Sequence, residues 1–455
     1  MHSRIRLPDV LRVLVFLVLL VMAGARTATS AVLFTIQDLG AFSTSVSANT
    51  VGTALNDSGQ VVGHSYLDGV GDRAFLFSAG VLHNLGTFPA TGYTESYPLA
   101  INNAGSIVGY AYKPAGSLFE AFLSTGTSLT SLWLAGPYLA AAMGINDAGQ
   151  ILALSEPSAG YYTLVVGSGS SWPAVRMVTG MGNLVLNQEW PAEYINRAGV
   201  IVGSEVNPTL GSETGAIWYG TASNTAVLDV GLPPGEASSH LMKINNVGQA
   251  VGYSNDDAVS YTNGVLQALP TLGGSQAAAL GINDSGQVVG WANTTGNSAI
   301  HAFLYQHSAI QDLNGLVSPD SGWVLTSAPA INARGQILAN GTHRGQVRAA
   351  LLTPTASLAS VQPTAETGVE MIRVVPSPEM GGAAFEFARP ATRPSRLRIL
   401  DVQGRLVRTL DVRQGATAVS WNDTDSEGAR VANGVYVLRA NLDGHDYTGR
   451  VVVLH

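Results

Sequence analysis

The chain has 455 residues, a net charge of −8 and only 12% charged residues, with 52 glycines and no cysteine. That profile excludes a highly charged disordered chain, and the negative charge, with no Lys/Arg cluster interleaved with aromatics in the repeat region, argues against a nucleic-acid partner. The lack of cysteine removes disulfides, thiolate metal sites and thiol nucleophiles.

Residues 1–31 read as a secretory signal, which makes the export machinery an expected partner. Arg4, Arg6 and Arg12 form a basic start, residues 11–22 are apolar apart from Arg12, and Ala23-Gly24-Ala25 fits a small-residue cleavage site. The apolar part is too short to span a bilayer comfortably.

Residues 32–354 carry one phrase seven times: LNDSGQVVG, INNAGSIVG, INDAGQILA, INRAGVIVG, INNVGQAVG, INDSGQVVG and INARGQILA. Its asparagines are Asn56, Asn102, Asn146, Asn196, Asn245, Asn283 and Asn332, and its turn glycines Gly59, Gly105, Gly149, Gly199, Gly248, Gly286 and Gly335. Asn hydrogen-bonds nearby backbone, Gly accepts positive φ, and the β-branched run that follows reads as a strand. Each copy is therefore a strand–turn–strand junction whose Asn and Gly are structural turn residues. A second phrase (AFLF at 74, AFLS at 121, AFLY at 302) and a third ending in a Leu-Gly-like pair complete three or four strands per unit. That is one propeller blade.

The ends of the array are complementary. FTIQDLG at 34 matches the closing phrase QDLNG at 311, which the last unit lacks. An all-β, seven-bladed β-propeller follows, with an N-terminal strand closing the last blade and removing its exposed edges. Residues 355–370 read as a Thr/Ala/Ser/Pro-rich linker. Residues 371–455 alternate apolar and polar residues and predict a small Ig-like sandwich.

Two resemblances follow. GINDSGQVVGWANTTGNSAIHAFLY at 281, with the full triplet His301-Ala302-Phe303, resembles the extracellular HAF-repeat family, which implies export and no defined activity. Val375-Pro376-Ser377-Pro378, the run ILDVQGRLV at 399, Trp421 and Asn433-Gly434-Val435-Tyr436 resemble the FlgD-like Ig module and type IX secretion C-terminal sorting domains. Ser377 stands where Asn is common in those families, and Asn422 where Asp often follows the Trp. The resemblance implies either a sorting signal for surface export or an accessory β-domain.

Catalytic signals are scarce. Gly63-His64-Ser65-Tyr66-Leu67 approaches a nucleophile elbow, but Leu67 replaces the second Gly and a strand precedes it. The nine histidines have no paired metal spacing, and His301 fits a strand. No catalytic, metal or cofactor-binding residue is assigned. Asp423, Asp425 and Glu427 alternate before a glycine as in a calcium loop, without the bidentate Glu at the twelfth position. Asp68, Asp72, Asp256 and Asp257 are loop acids, and Tyr93, Tyr97, Tyr161, Tyr162 and Trp190 are candidate surface aromatics. The expected function is an exported, non-enzymatic binding or adhesion propeller with a glycan or protein ligand. A polysaccharide-acting enzyme and a purely structural surface protein are the alternatives.

Overall fold

The computed structural model describes residues 33–355, except 46–48, 127, 133–138, 159–160, 168–173, 179–193, 208, 220–225 and 263, and residues 370–453, except 372, 378–381, 388–391, 401–404, 432–433 and 443–444. The signal segment, Trp190 and most of the linker lie outside the described residues. The chain divides into two compact units, Met1–Ala359 and Ser360–His455.

The first unit is all-β and propeller-like. Short strands alternate with turns, so each repeat folds onto itself as an antiparallel meander. The first strand, β1 (Phe34–Asp38), is followed by repeat 1: β2 (Thr50–Leu55), β3 (Val61–Leu67), β4 (Gly71–Ser78) and β5 (Val81–Gly86), paired in that order. Repeat 2 begins with β6 (Glu95–Ile101), β7 (Ile107–Lys113) and β8 (Leu118–Ser124). Among the described residues seven such sheets occur, six of four strands and one of three. The three-stranded sheet belongs to repeat 4, where the bridge Ile195↔Ile201 marks the first-strand position. β1 joins the last sheet as its fourth strand, in the register Phe34↔Pro354 to Asp38↔Ala350.

The Ala-Phe pairs of the second phrase sit in the core. Ala74, Phe75, Ala121, Phe122, Ala302 and Phe303 are fully buried, because both faces of each sheet are covered by neighbouring sheets. Ala54, Val62, Ala74 and Leu85 of repeat 1 pack against Ile101, Ile107 and Phe122 of repeat 2. Leu55, Val61, Phe75 and Phe77 pack against Ala330, Leu338, Ala349 and Leu351 of repeat 7.

The register shifts in the same place in five first-strand pairs, between Gly52/Ala54, Pro98/Ala100, Ala142/Gly144, Leu241/Lys243 and Ala279/Gly281. Such a bulge bends the strand and brings backbone close to its partner. It explains the glycine that closes most copies of the phrase. A Cβ at Gly63 would lie 2.0 Å from the Val51 carbonyl oxygen, and at Gly109 2.1 Å from that of Tyr97. Backbone atoms cannot swing aside as a side chain would.

The second unit is an Ig-like sandwich. A five-stranded sheet (Glu370–Met371, His445–Val453, Gly434–Leu442, Ser395–Leu400, Leu406–Val412) accompanies a three-stranded one (Arg373–Ser377, Gly382–Glu386, Ala418–Trp421). Phe385, Leu397, Ile399, Trp421 and Leu438 form its core. The Trp421 indole donates to the Thr424 carbonyl at 2.7 Å and meets Tyr436 edge-on at 5.4 Å. Residues 401–404, between the strands Ser395–Leu400 and Leu406–Val412, lie outside the described residues.

Candidate functional site

The seven asparagines are all buried, at 3–7% exposure. In most copies the side-chain oxygen accepts the amides two and four residues on, as Asn56 does from Ser58 and Gln60 at 3.1 and 3.0 Å. The seven glycines adopt φ between +72° and +83° in the same turns. The other end of the amide does something the phrase does not announce. Each Nδ2 donates at 3.0–3.1 Å to the backbone oxygen of the next repeat's asparagine, from Asn56 to Asn102 and onward. Asn332 donates back to Asn56 at 3.0 Å. Where Gln stands four residues on, its Oε1 accepts the second Nδ2 proton, as Gln60, Gln150, Gln249, Gln287 and Gln336 do.

The variable residue after each asparagine forms a second, incomplete ring. Its backbone amide donates to the next repeat's side chain at 2.7–3.0 Å: Asp57 to Asn103, Asn103 to Asp147, Arg197 to Asn246, Asn246 to Asp284, and Ala333 to Asp57. The two steps into Arg197 and Ala333 lack this bond, since neither side chain has an acceptor. Both rings line a cavity of about 140 Å³ together with Lys243. That is below the roughly 300–1,000 Å³ of small-molecule pockets. Burial pushes the Lys243 ammonium down to about 7, with the Asp57 charge opposing.

Polar groups also converge at the opposite end of the sheets. β2 runs into the asparagine turn and β3 runs away from it, so the β3–β4 turn and the connection from β5 to β6 lie at the far end. There the Tyr97 phenol is 3.1 Å from Asp72 Oδ2 and 2.8 Å from Glu95 Oε2. Burial first, then these carboxylates, pushes the Tyr97 phenol up strongly. Its ring meets His64 edge-on at 5.0 Å and Tyr110 at 5.2 Å. Burial holds His64 below the usual imidazole range, with Asp72 opposing.

The junction of repeats 4 and 5 uses corresponding positions. His240 stands five residues before its asparagine, as Tyr97 does, and Ser204 and Tyr253 stand eight after theirs, as His64 and Tyr110 do. Ser204 Oγ donates to Glu213 at 2.6 Å and lies 3.1 Å from His240 Nδ1, which stacks on Tyr253 at 4.6 Å. This is not a hydrolytic triad. Serine and glutamate share one imidazole nitrogen, and the hydroxyl proton already serves the glutamate.

Sequence reasoning singled out Asp72 and Tyr97, and the fold brings them together. It met His64 only in a rejected nucleophile-elbow motif and passed over Glu95, Ser204, Glu213, His240 and Lys243. For His64, Ser204 and His240 the available signal was their distance from the repeat asparagines, eight after for the first two and five before, as for Tyr97, for the third. Asp68 accepts from Ser45 and Asp256 from Gln276, away from both clusters. Tyr93 lies edge-on to Phe88, with Lys113 Nζ 6.0 Å from its ring centroid. Tyr161 and Tyr162 begin the strand Tyr161–Gly167. His301 Nδ1 lies 2.6 Å from Asp312 Oδ2 inside repeat 6. In the acidic turn of the second unit, Asp425 caps the amides of Glu427 and Ala429 at 2.9 and 3.0 Å, and Asp423 takes φ +56°. Among the described residues no three acidic or histidine groups gather as a metal site.

Residues 377–446 match the family model of the FlgD Ig-like domain. The matched stretch includes Trp421 and the strands Gly382–Glu386, Ser395–Leu400, Leu406–Val412, Ala418–Trp421 and Gly434–Leu442. No curated protein matches the chain. Among solved structures the chain is similar to PorZ of Porphyromonas gingivalis, described as an essential surface component of its type-IX secretion system. Identity is 15% and the TM-score 0.42, over 89% of this chain and 59% of PorZ. It is similar also to YCF48, at 12% identity and TM-score 0.40 over 73% and 96% of the two chains. TolB from Acinetobacter baumannii gives 12% and 0.36 over 62% and 76%. The chain thus spans under two thirds of PorZ.

Two expectations test the ring and the cavity. Asn102→Ala leaves the Asn146 carbonyl and the Ser106 amide without their partners. It should cost about 1–3 kcal/mol in urea unfolding, and Asn102→Asp, which keeps the acceptor but loses the donor, should not restore the loss. Lys243 has a depressed folded-state value, so between pH 7 and about 10.4 the unfolded chain holds a proton the folded chain has released. Stability from this group should rise with pH across that window, and Lys243→Met should flatten the slope in thermal melts.

Proposed function

We propose that this is an exported, non-enzymatic binding or adhesion protein of the cell surface or surroundings, built on a closed seven-bladed propeller. The return bond from Asn332 to Asn56, the β1 strand in the last sheet and the packing of repeat 1 on repeat 7 support closure. Membership of the extracellular HAF-repeat family and a secretory role for residues 1–31 belong to the same reading. Among the described residues no helix is long and apolar enough to cross a membrane.

The observation that carries the binding reading is the face opposite the asparagine turns. Acid, histidine and tyrosine side chains meet there at the repeat 1/2 and 4/5 junctions, whereas the central cavity is too small for an extended ligand. A glycan or a protein is the ligand class. Broad glycan and protein panels with the full chain should give binding that Asp72→Asn weakens; an inert chain across both panels counts against the reading.

Two carboxylates on one phenol favour a second reading, a polysaccharide-acting enzyme, which release of reducing sugar from bound polysaccharide would reveal. The FlgD Ig-like module is proposed as the surface-sorting element. Removal of residues 371–455 should abolish surface delivery in fractionated cells, and undiminished delivery would leave it an accessory domain.

A further inference from the structure

We propose that the junction of repeats 1 and 2 binds a cationic side chain, a lysine ammonium or arginine guanidinium, presented by a partner protein. This rests on the binding reading of that face and names its ligand chemistry.

The junction gathers two carboxylates among tyrosine and imidazole groups, and the Arg73 guanidinium feels the charge of both acids. Asp72 and Glu95 are half-buried and open toward solvent, and the single phenolic proton of Tyr97 lies between them. Two further polar atoms close by have no partner, His64 Nδ1 and Tyr110 Oη. Their side chains are more than nine-tenths buried, at 8% and 1% exposure. His64 packs on the Tyr97 ring and feels the Asp72 charge; Tyr110 packs on the same ring and feels both carboxylates. Arg73, the cation nearest the pair, donates to the backbone carbonyls of Asp72, Thr94 and Val70. Lys113 is held on the Thr91 carbonyl. Neither brings a hydrogen bond to the two carboxylates.

The strand register adds aromatic walls. Tyr66 is directly opposite Asp72 across β3 and β4, and Tyr112 directly opposite Glu95 across β6 and β7. Directly opposed residues share a sheet face, so each acid has a half-exposed tyrosine beside it. Carboxylates flanked by tyrosine rings attract a cation both by charge and through the ring faces. An ammonium carries three donors and no acceptor, and a guanidinium five and none, which complements a site of this composition. At the 4/5 junction Val206 and Asn255 replace the two tyrosines, so the walls are particular to repeats 1 and 2.

The test uses the full chain and three Gly/Ser octapeptides bearing a central lysine, arginine or norleucine, titrated calorimetrically at low salt. The lysine or arginine peptide should bind at least about tenfold more tightly than the norleucine peptide. Asp72→Asn and Glu95→Gln, each near-isosteric and checked by an unchanged thermal melt, should each remove most of that preference. Asp256→Asn, an exposed acid in another repeat, should leave it intact. Equal binding of the three peptides overturns the proposal. So does a neutral glycan whose binding the Asp72 and Glu95 variants abolish, although that result upholds the binding reading. A chain inert to peptides, glycans and proteins alike overturns both.

Discussion

The first unit depends on one side-chain amide used twice. The side-chain oxygen of each repeat asparagine closes its own turn, and the nitrogen donates to the backbone oxygen of the next repeat's asparagine. Asn alone offers a paired acceptor and donor at this length. Asp would lose the donors, and Gln would displace the group by a methylene. The amide therefore ties local turn geometry to the spacing of neighbouring sheets. Because these groups are buried, an unmade bond costs the full desolvation of its partner. The hydrophobic contacts between sheets supply most of the cohesion but little direction. The amides add the direction and register that apolar packing lacks.

A second constraint follows from the bulge in the first strand. It brings that strand against its neighbour so closely that Gly63, Gly109, Gly252 and Gly290 have no room for a Cβ beside the carbonyl opposite. With turn and bulge set by the repeat, the other end of each sheet is released from structural duty. At the 1/2 and 4/5 junctions the residue eight after one asparagine meets the residue five before the next, and the pair differs between the two. His64 with Tyr97 and Ser204 with His240 are two outcomes of the same geometry. The central cavity, by contrast, is narrowed by its own hydrogen-bonded rings.

The repeat, its turn glycines, the β-class and the sandwich at the end of the chain were all legible as residues. So was the kinship of the phrase at 34 with the one at 311, which anticipated where β1 pairs. Less legible were Glu95 and His64. Glu95 opens β6 directly after an inter-repeat connection of irregular length, and His64 lies inside a strand whose pattern reads as core. Asp72 and Tyr97 drew attention only as a loop acid and an aromatic, 25 residues apart.

By itself the sequence determined which residues recur and what local structure they make. An Asn–Gly turn between β-branched strands depends on contacts within a few residues. Only the tertiary structure decided what the free end of each amide binds, and which side chains share a junction. The amide partners lie 38 to 50 residues away, or 276 for the bond from Asn332 to Asn56, and the junction pairs 25 and 36. Their meeting is set by the angle and spacing at which whole sheets pack, a property of all the repeats together and of no single one.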